Sequence, residues 1–330
     1  AVVVASGHGG SKSAAYAQYA GQLYAKLGIA CLTVDTIGEE ERSVEGRMGT
    51  REHDLYALEK DERVRFLKED LKRPILGKIA WDLMIGMDYL QARPEIDGTR
   101  MGIVGYSLGG ASAGAVTVLD QRVKACIISG WGFSPLLVRR GKECTRLPYE
   151  DFSRLLRFDE MTALVAPHAA TLFSSGTHDE IIDAEEGGAA LVRDIQQGIE
   201  GARKILDGAE VPHTLEARFE EGADHRPLFL APAGAAWLQE HLQHPEERKP
   251  LPAATLRFGD WVAAHGQELE ELYAGESREG GLRAVDIGAT LFAPADLACF
   301  PDQAGAGPEY NFQGWLDNVL STAPEPGHTP

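Results

Sequence analysis

The chain has 330 residues, and its 50 acidic against 32 basic side chains give a formal net charge of −18. So acidic a surface repels phosphate backbones, which excludes nucleic acid as an expected partner. The 44% hydrophobic and 25% charged content is that of a globular domain, and no apolar run is long enough to span a bilayer.

The chain opens on "AVVVASGHGG", already inside an apolar run, and no signal peptide is read there. Either a cytoplasmic location or secretion after loss of an N-terminal segment fits. Residues 2–6 predict a strand, followed by the glycine-rich stretch "SGHGGSKS". Residues 13–27 predict an amphipathic helix and 29–35 a second strand, with Asp35 at its end placed to anchor the neighbouring loop. Residues 36–73 are heavily charged and read as a solvated helical insertion. Arg47 and Arg51 within it suit an acidic substrate or surface ion pairs equally.

A helix over 75–92 leads to a strand at 101–107 that runs into Gly105-Tyr106-Ser107-Leu108-Gly109. This G-x-S-x-G pattern lies between an apolar strand and a helix of small residues over 109–119. That is the setting of a nucleophile elbow, in which a strained serine needs neighbours without bulk two positions away. Next come a strand over 123–131 and an excursion over 132–169 whose aromatic and leucine content suits helices capping a pocket. Trp131 and Phe133 lie at its start and, with Tyr106, are candidate pocket residues.

The strand at 170–176 ends in "SGTHDEIID", which offers Asp179, with Asp183 as the second choice. Both stand past the carboxyl end of a strand, the edge where open α/β sheets place their sites. A helix over 187–206, a strand over 213–220 and a helix over 232–243 complete the alternation. Between the last two, "FEEGADHRPLF" carries His225. A serine hydroxyl needs a base to take its proton, and the base needs a carboxylate to hold its tautomer. Ser107, Asp179 and His225 supply these in the order serine, acid, histidine; Asp224 is too close in sequence to orient its neighbour. His213, His241 and His244 read as structural or solvated. The oxyanion of an acyl-transfer intermediate requires two donors. The Leu108 N–H is one, and Gly10 is favoured for the other with Gly9 as alternative, while His8 braces the turn.

Strand and helix in repetition predict an α/β domain over 1–245, with a mostly parallel sheet covered by helices on both faces. From 246, "HPEERKPLPAA" reads as a linker. Residues 246–330, with one helix-like piece at 261–274, read as an extension packed on the core. Cys31 and Cys126 fall in strands as packed thiols, Cys144 and Cys299 in irregular stretches. None of the four forms a metal-binding spacing, so no zinc site is expected.

In this order, HGG, GYSLGG, SGTHD and GADHRP resemble the α/β-hydrolase superfamily, and within it the serine hydrolases similar to dienelactone hydrolases and acetyl xylan esterases. The resemblance covers about residues 1–245. It implies an eight-stranded sheet, of which this stretch starts at the third strand, and hydrolysis of carboxylic esters through an acyl-enzyme. Small acyl or acetyl esters, carbohydrate esters among them, are the implied substrates, with no metal or organic cofactor. Dienelactone hydrolases proper carry cysteine at the elbow; Ser107 moves the expectation toward esterases. A prolyl-oligopeptidase-like peptidase and a catalytically silent hydrolase-fold binding protein are the alternatives. A homo-oligomer is left open.

Overall fold

The structure, a computed structural model, describes residues 1–12, 14–58, 60–139, 149–251 and 311–326. The first part holds β1 (Val2–Ala5), α1 (Ala15–Lys26), β2 (Cys31–Thr33), α2 (His53–Leu58), α3 (Glu62–Arg65), α4 (Ile75–Gln91), β3 (Met101–Tyr106) and α5 (Leu108–Leu119). Then come β4 (Val123–Ser129), α6 (Pro135–Arg139), α7 (Tyr149–Leu155), α8 (Phe158–Leu164), β5 (Ala170–Gly176), α9 (Ala189–Gly208), β6 (Leu215–Glu220) and α10 (Pro232–Leu242). A further helix spans Phe312–Thr322.

The strands form one sheet in the order β2-β1-β3-β4-β5-β6, and every pairing is parallel. The expected parallel α/β sheet is therefore present, and its six strands among the described residues are the six runs read from the sequence. Side chains alternate across a strand, and both faces here are covered. Val3, Ile103, Cys126, Ile128 and Phe173 point to a layer made by α4, α5 and α9. Val2, Val4, Val104, Ile127 and Leu172 point to the opposite layer, made by α1 and α10. Burial on both sides is why these strands read as continuous aliphatic runs. Among the described residues Cys31 and Cys126 are free thiols, and burial pushes both up to about 12.

The order reverses direction at β1. The chain moves from β1 outward to β2, then crosses back to put β3 on the other side of β1. The loops leaving β1 and β3 therefore diverge and open a crevice at the carboxyl ends of those strands. The residues 7–10 follow β1, and Ser107 follows β3.

Residues 36–73 depart from the solvated insertion expected. Ile37, Tyr56, Val64 and Leu67 are buried in the α4–α5 layer, and the polar Glu39, Ser43 and His53 are buried with them. The charge-rich sequence hides an apolar set too irregularly spaced to show a period. The described residues of the 132–169 excursion hold α6, α7 and α8. The helix read at 261–274, and Cys144 and Cys299, lie outside the described residues. No described helix is long and apolar enough to cross a membrane.

Candidate active site

Strand β3 ends at Tyr106 and α5 begins at Leu108, so Ser107 alone makes the turn, at φ 57° and ψ −119°. A non-glycine residue there carries about 1–3 kcal/mol of backbone strain, which the surroundings must hold. They do so by close packing. A Cβ at Gly105 would stand 1.9 Å from the Gly109 carbonyl oxygen, and one at Gly109 would stand 2.0 Å from that of Ala5. The Ser107 N–H donates to the Ser129 carbonyl at 2.9 Å, fixing the turn to the end of β4.

Two other loops meet at the same sheet edge. His225, after β6, places Nδ1 2.7 Å from Asp179 Oδ2, after β5. Both are buried, Asp179 completely. A carboxylate only accepts, so Nδ1 carries the hydrogen and Nε2 is left as the basic nitrogen. Nε2 is buried and makes no hydrogen bond among the described residues. The second oxygen of Asp179 accepts from the Ile182 N–H at 3.0 Å. Asp183, the second choice for the acid, is spent differently: its oxygens accept from the backbone of Ala190 at 2.8 Å and Glu186 at 3.2 Å, ordering the start of α9.

The imidazole is held from behind as well. Tyr106 donates its hydroxyl to the His225 carbonyl at 2.9 Å, and the two rings lie 4.8 Å apart. Gly130, at φ +54°, presses on the ring: a Cβ there would be 3.1 Å from both Cε1 and Nδ1 of His225. Neither contact is visible in the sequence. The glycine directly after β4 was the only available signal for the second.

The turn after β1 is fastened at several points. Gly7 N–H donates to the Tyr16 hydroxyl at 2.9 Å, Lys12 bonds Asp35 through backbone and side chain, and His8 Nε2 lies 2.8 Å from Asp54 Oδ2. Asp35 thus anchors the loop and His8 braces it, as read. Gly10 does not fit its expected part. Its N–H donates to the Gly7 carbonyl at 2.9 Å and closes the turn, so this donor is already used. Gly9, the alternative, has φ +82°, with the Arg51 side chain directly over it. Leu108 opens α5, where the first N–H groups have no intrahelical partner and the dipole is positive.

The pocket candidates divide. Trp131 is fully buried in the core, where Gly110 leaves room for it. Phe133 packs edge-on against Phe173 and lines an apolar cavity with Leu76, Gly114, Phe152 and Met161. The walls of that cavity do not include Ser107 or His225. Tyr106 supports His225 through its hydroxyl and ring. An aromatic at or just past a strand end can turn into the core or out of it, and local sequence does not say which.

Two buried groups next to the turn are perturbed. Burial pushes the Glu39 carboxyl up to about 7, against the backbone N–H groups of Gly49 and Arg51 that it accepts. Burial pulls the His53 imidazole down to about 4, so it is neutral at pH 7.

No protein-family model matches the chain. One curated protein, YtaP of Bacillus subtilis (strain 168), named provisionally as a hydrolase, is 36% identical over 73 residues. The match spans 20% of this chain and only 24% of that relative's length. Among solved structures, a dienelactone hydrolase of Anabaena variabilis has a TM-score of 0.44 and 19% identity, over 73% of this chain and 86% of that one. An esterase of Pyrococcus furiosus gives 0.47 and 16%, over 73% and 83%. Acetyl xylan esterase 1 of a Thermoanaerobacterium species gives 0.41 and 14%, over 73% of each. The strand order and the strand–serine–helix turn are those of the α/β-hydrolase fold.

Proposed function

We propose that this chain is a serine hydrolase of the α/β-hydrolase superfamily that cleaves carboxylic esters through an acyl-enzyme. The observation that carries the reading is the buried 2.7 Å pair of His225 and Asp179, set beside a strained Ser107 at one sheet edge. Ser107 Oγ attacks the ester carbonyl while His225 Nε2 takes its proton. The Asp179 carboxylate holds the ring and offsets the charge it gains. The oxyanion is received by the Leu108 N–H and by a second donor from the turn after β1, for which Gly9 replaces Gly10. As the tetrahedral intermediate collapses, the proton passes from Nε2 to the leaving alkoxide and Ser107 keeps the acyl group. Water, deprotonated by the same nitrogen, then releases the acid and restores the serine.

The proposed substrates are esters of small acyl groups, acetyl above all, with acetylated carbohydrates as the natural class. Hydrolysis of p-nitrophenyl acetate tests the chemistry. Ser107→Ala is expected to lower kcat by about 10⁴-fold or more, and equal turnover by the two proteins refutes the reading. A fluorophosphonate probe with peptide mapping should label Ser107 and no other residue. A panel of acyl lengths and acetylated xylosides tests the substrate class: butyryl or longer esters turned over faster than acetyl ones would overturn it.

A further inference from the structure

Beside the proposed triad, His8, His53 and Asp54 form a second cluster, with one potential ligand atom from each within 4.8 Å of the others. His8 stands in the turn after β1, whereas His53 and Asp54 begin α2 in the charged insertion. His8 Nε2 lies 2.8 Å from Asp54 Oδ2, and His53 Nε2 lies 3.9 Å from Asp54 Oδ1. The two rings are 5.2 Å apart at 59°. His53 is the independent observation. Only 2% of it is exposed, and neither of its ring nitrogens makes a hydrogen bond among the described residues, although the Ile37 carbonyl lies near the ring. A polar ring this buried whose nitrogens lack a well-formed hydrogen bond among the described residues calls for an explanation, and a bound ion is one of the standard ones.

We propose that His8, His53 and Asp54 bind a divalent transition-metal ion with the preferences of zinc. Two imidazole nitrogens and one carboxylate oxygen suit Zn²⁺, whereas Ca²⁺ and Mg²⁺ take oxygen ligands throughout. Ligand atoms about 2.0–2.1 Å from a tetrahedral zinc stand roughly 3.3 Å apart. The present separations bracket that value, so rotation of the Asp54 carboxylate and the His8 ring completes the site. Three protein ligands leave the fourth position to water or a small anion. The Arg51 guanidinium over Gly9 opposes a cation. The bound ion would tie the turn after β1 to α2, stiffening the segment from which an oxyanion donor is proposed. Binding itself does not depend on the ester-hydrolase reading.

The test uses the whole chain, stripped with a chelator and titrated with Zn²⁺ against a chromophoric competitor, then with Co²⁺ for its tetrahedral absorption bands. One Zn²⁺ per chain is expected, with micromolar or tighter dissociation. Asp54→Asn and His53→Gln should each weaken binding by about tenfold or more, and His241→Gln, far from the cluster, should not. Melting curves check that the variants fold. Should His53→Gln fail to fold, His8→Gln in the turn after β1 carries the same comparison. Dissociation in the millimolar range overturns the proposal, as does unchanged affinity in both Asp54→Asn and His8→Gln. No substrate enters these measurements, so an inactive Ser107 would leave their outcome intact.

Discussion

Two carboxylates four residues apart illustrate how function separates at the scale of single residues. Asp179 gives one oxygen to His225 and the other to backbone, while Asp183 gives both to backbone. Asp179→Asn should therefore lower ester turnover by about 10⁴-fold, since the amide can present the wrong partner to Nδ1. Asp183→Asn should keep turnover near wild type and cost about 1–2 kcal/mol of stability, read from denaturant melts. The reverse pattern would move the acid to Asp183. Gly130 is the residue that no motif announces. Gly130→Ala pays for a side chain at positive φ, about 1–2 kcal/mol, and displaces the imidazole its Cβ would touch. Lost turnover with the fold retained is the expected result. Ser107 itself stores strain, so Ser107→Gly should melt higher than Ser107→Ala by the relief of that strain, about 1 kcal/mol or more.

Elements differ in how openly the sequence declares them. The helices α4, α5, α9 and α10 lie within two residues of the stretches read from the sequence, α4 and α9 because each lays one apolar face on the sheet and α5 because its small residues let it be buried almost all round. The insertion at 36–73 is the opposite case. Its short helices bury scattered residues, and its charged side chains mask them. Burial there has a measurable pH signature. The raised Glu39 carboxyl means the folded chain holds a proton that the unfolded chain has released between pH 4.5 and about 7. Stability from this group falls as pH rises through that window. The lowered His53 works with the opposite sign: the unfolded chain binds the extra proton between about 4 and 6.5, so stability falls as pH drops. Melting temperatures of the metal-free protein should therefore lose their decline between pH 6.5 and 7 in Glu39→Gln. In His53→Gln they should lose the drop toward pH 4. Unchanged slopes would contradict the burial of these groups.

At the scale of the whole molecule, the reversal of strand order at β1 decides where chemistry is placed. It sets the turn after β1 beside the Ser107 elbow and aligns the loops after β5 and β6 with both. The helix Phe312–Thr322 closes the opposite end of the sequence onto this frame: Phe312 and Leu316 are buried in the α4–α5 layer, and Trp315 lies 5.6 Å from Tyr56 of α2. Phe312→Ala should destabilise the protein by about 3–5 kcal/mol, and a smaller loss would mean that this helix is not held by its apolar face. The six strands, the helices on both faces, the strand–serine–helix turn at Ser107 and the proposed order serine, aspartate, histidine were all legible in the sequence by itself. Each depends on local signals: runs of aliphatics, glycines two positions from a serine, polar residues just past a strand. The engagement of the Gly10 N–H, the burial of Trp131, the pressure of Gly130 on His225 and the meeting of His8 with His53 and Asp54 were decided only by tertiary structure. Each depends on the distance between atoms far apart in the chain. Local periodicity carries no record of such distances, and only the packing of the sheet against its helices sets them.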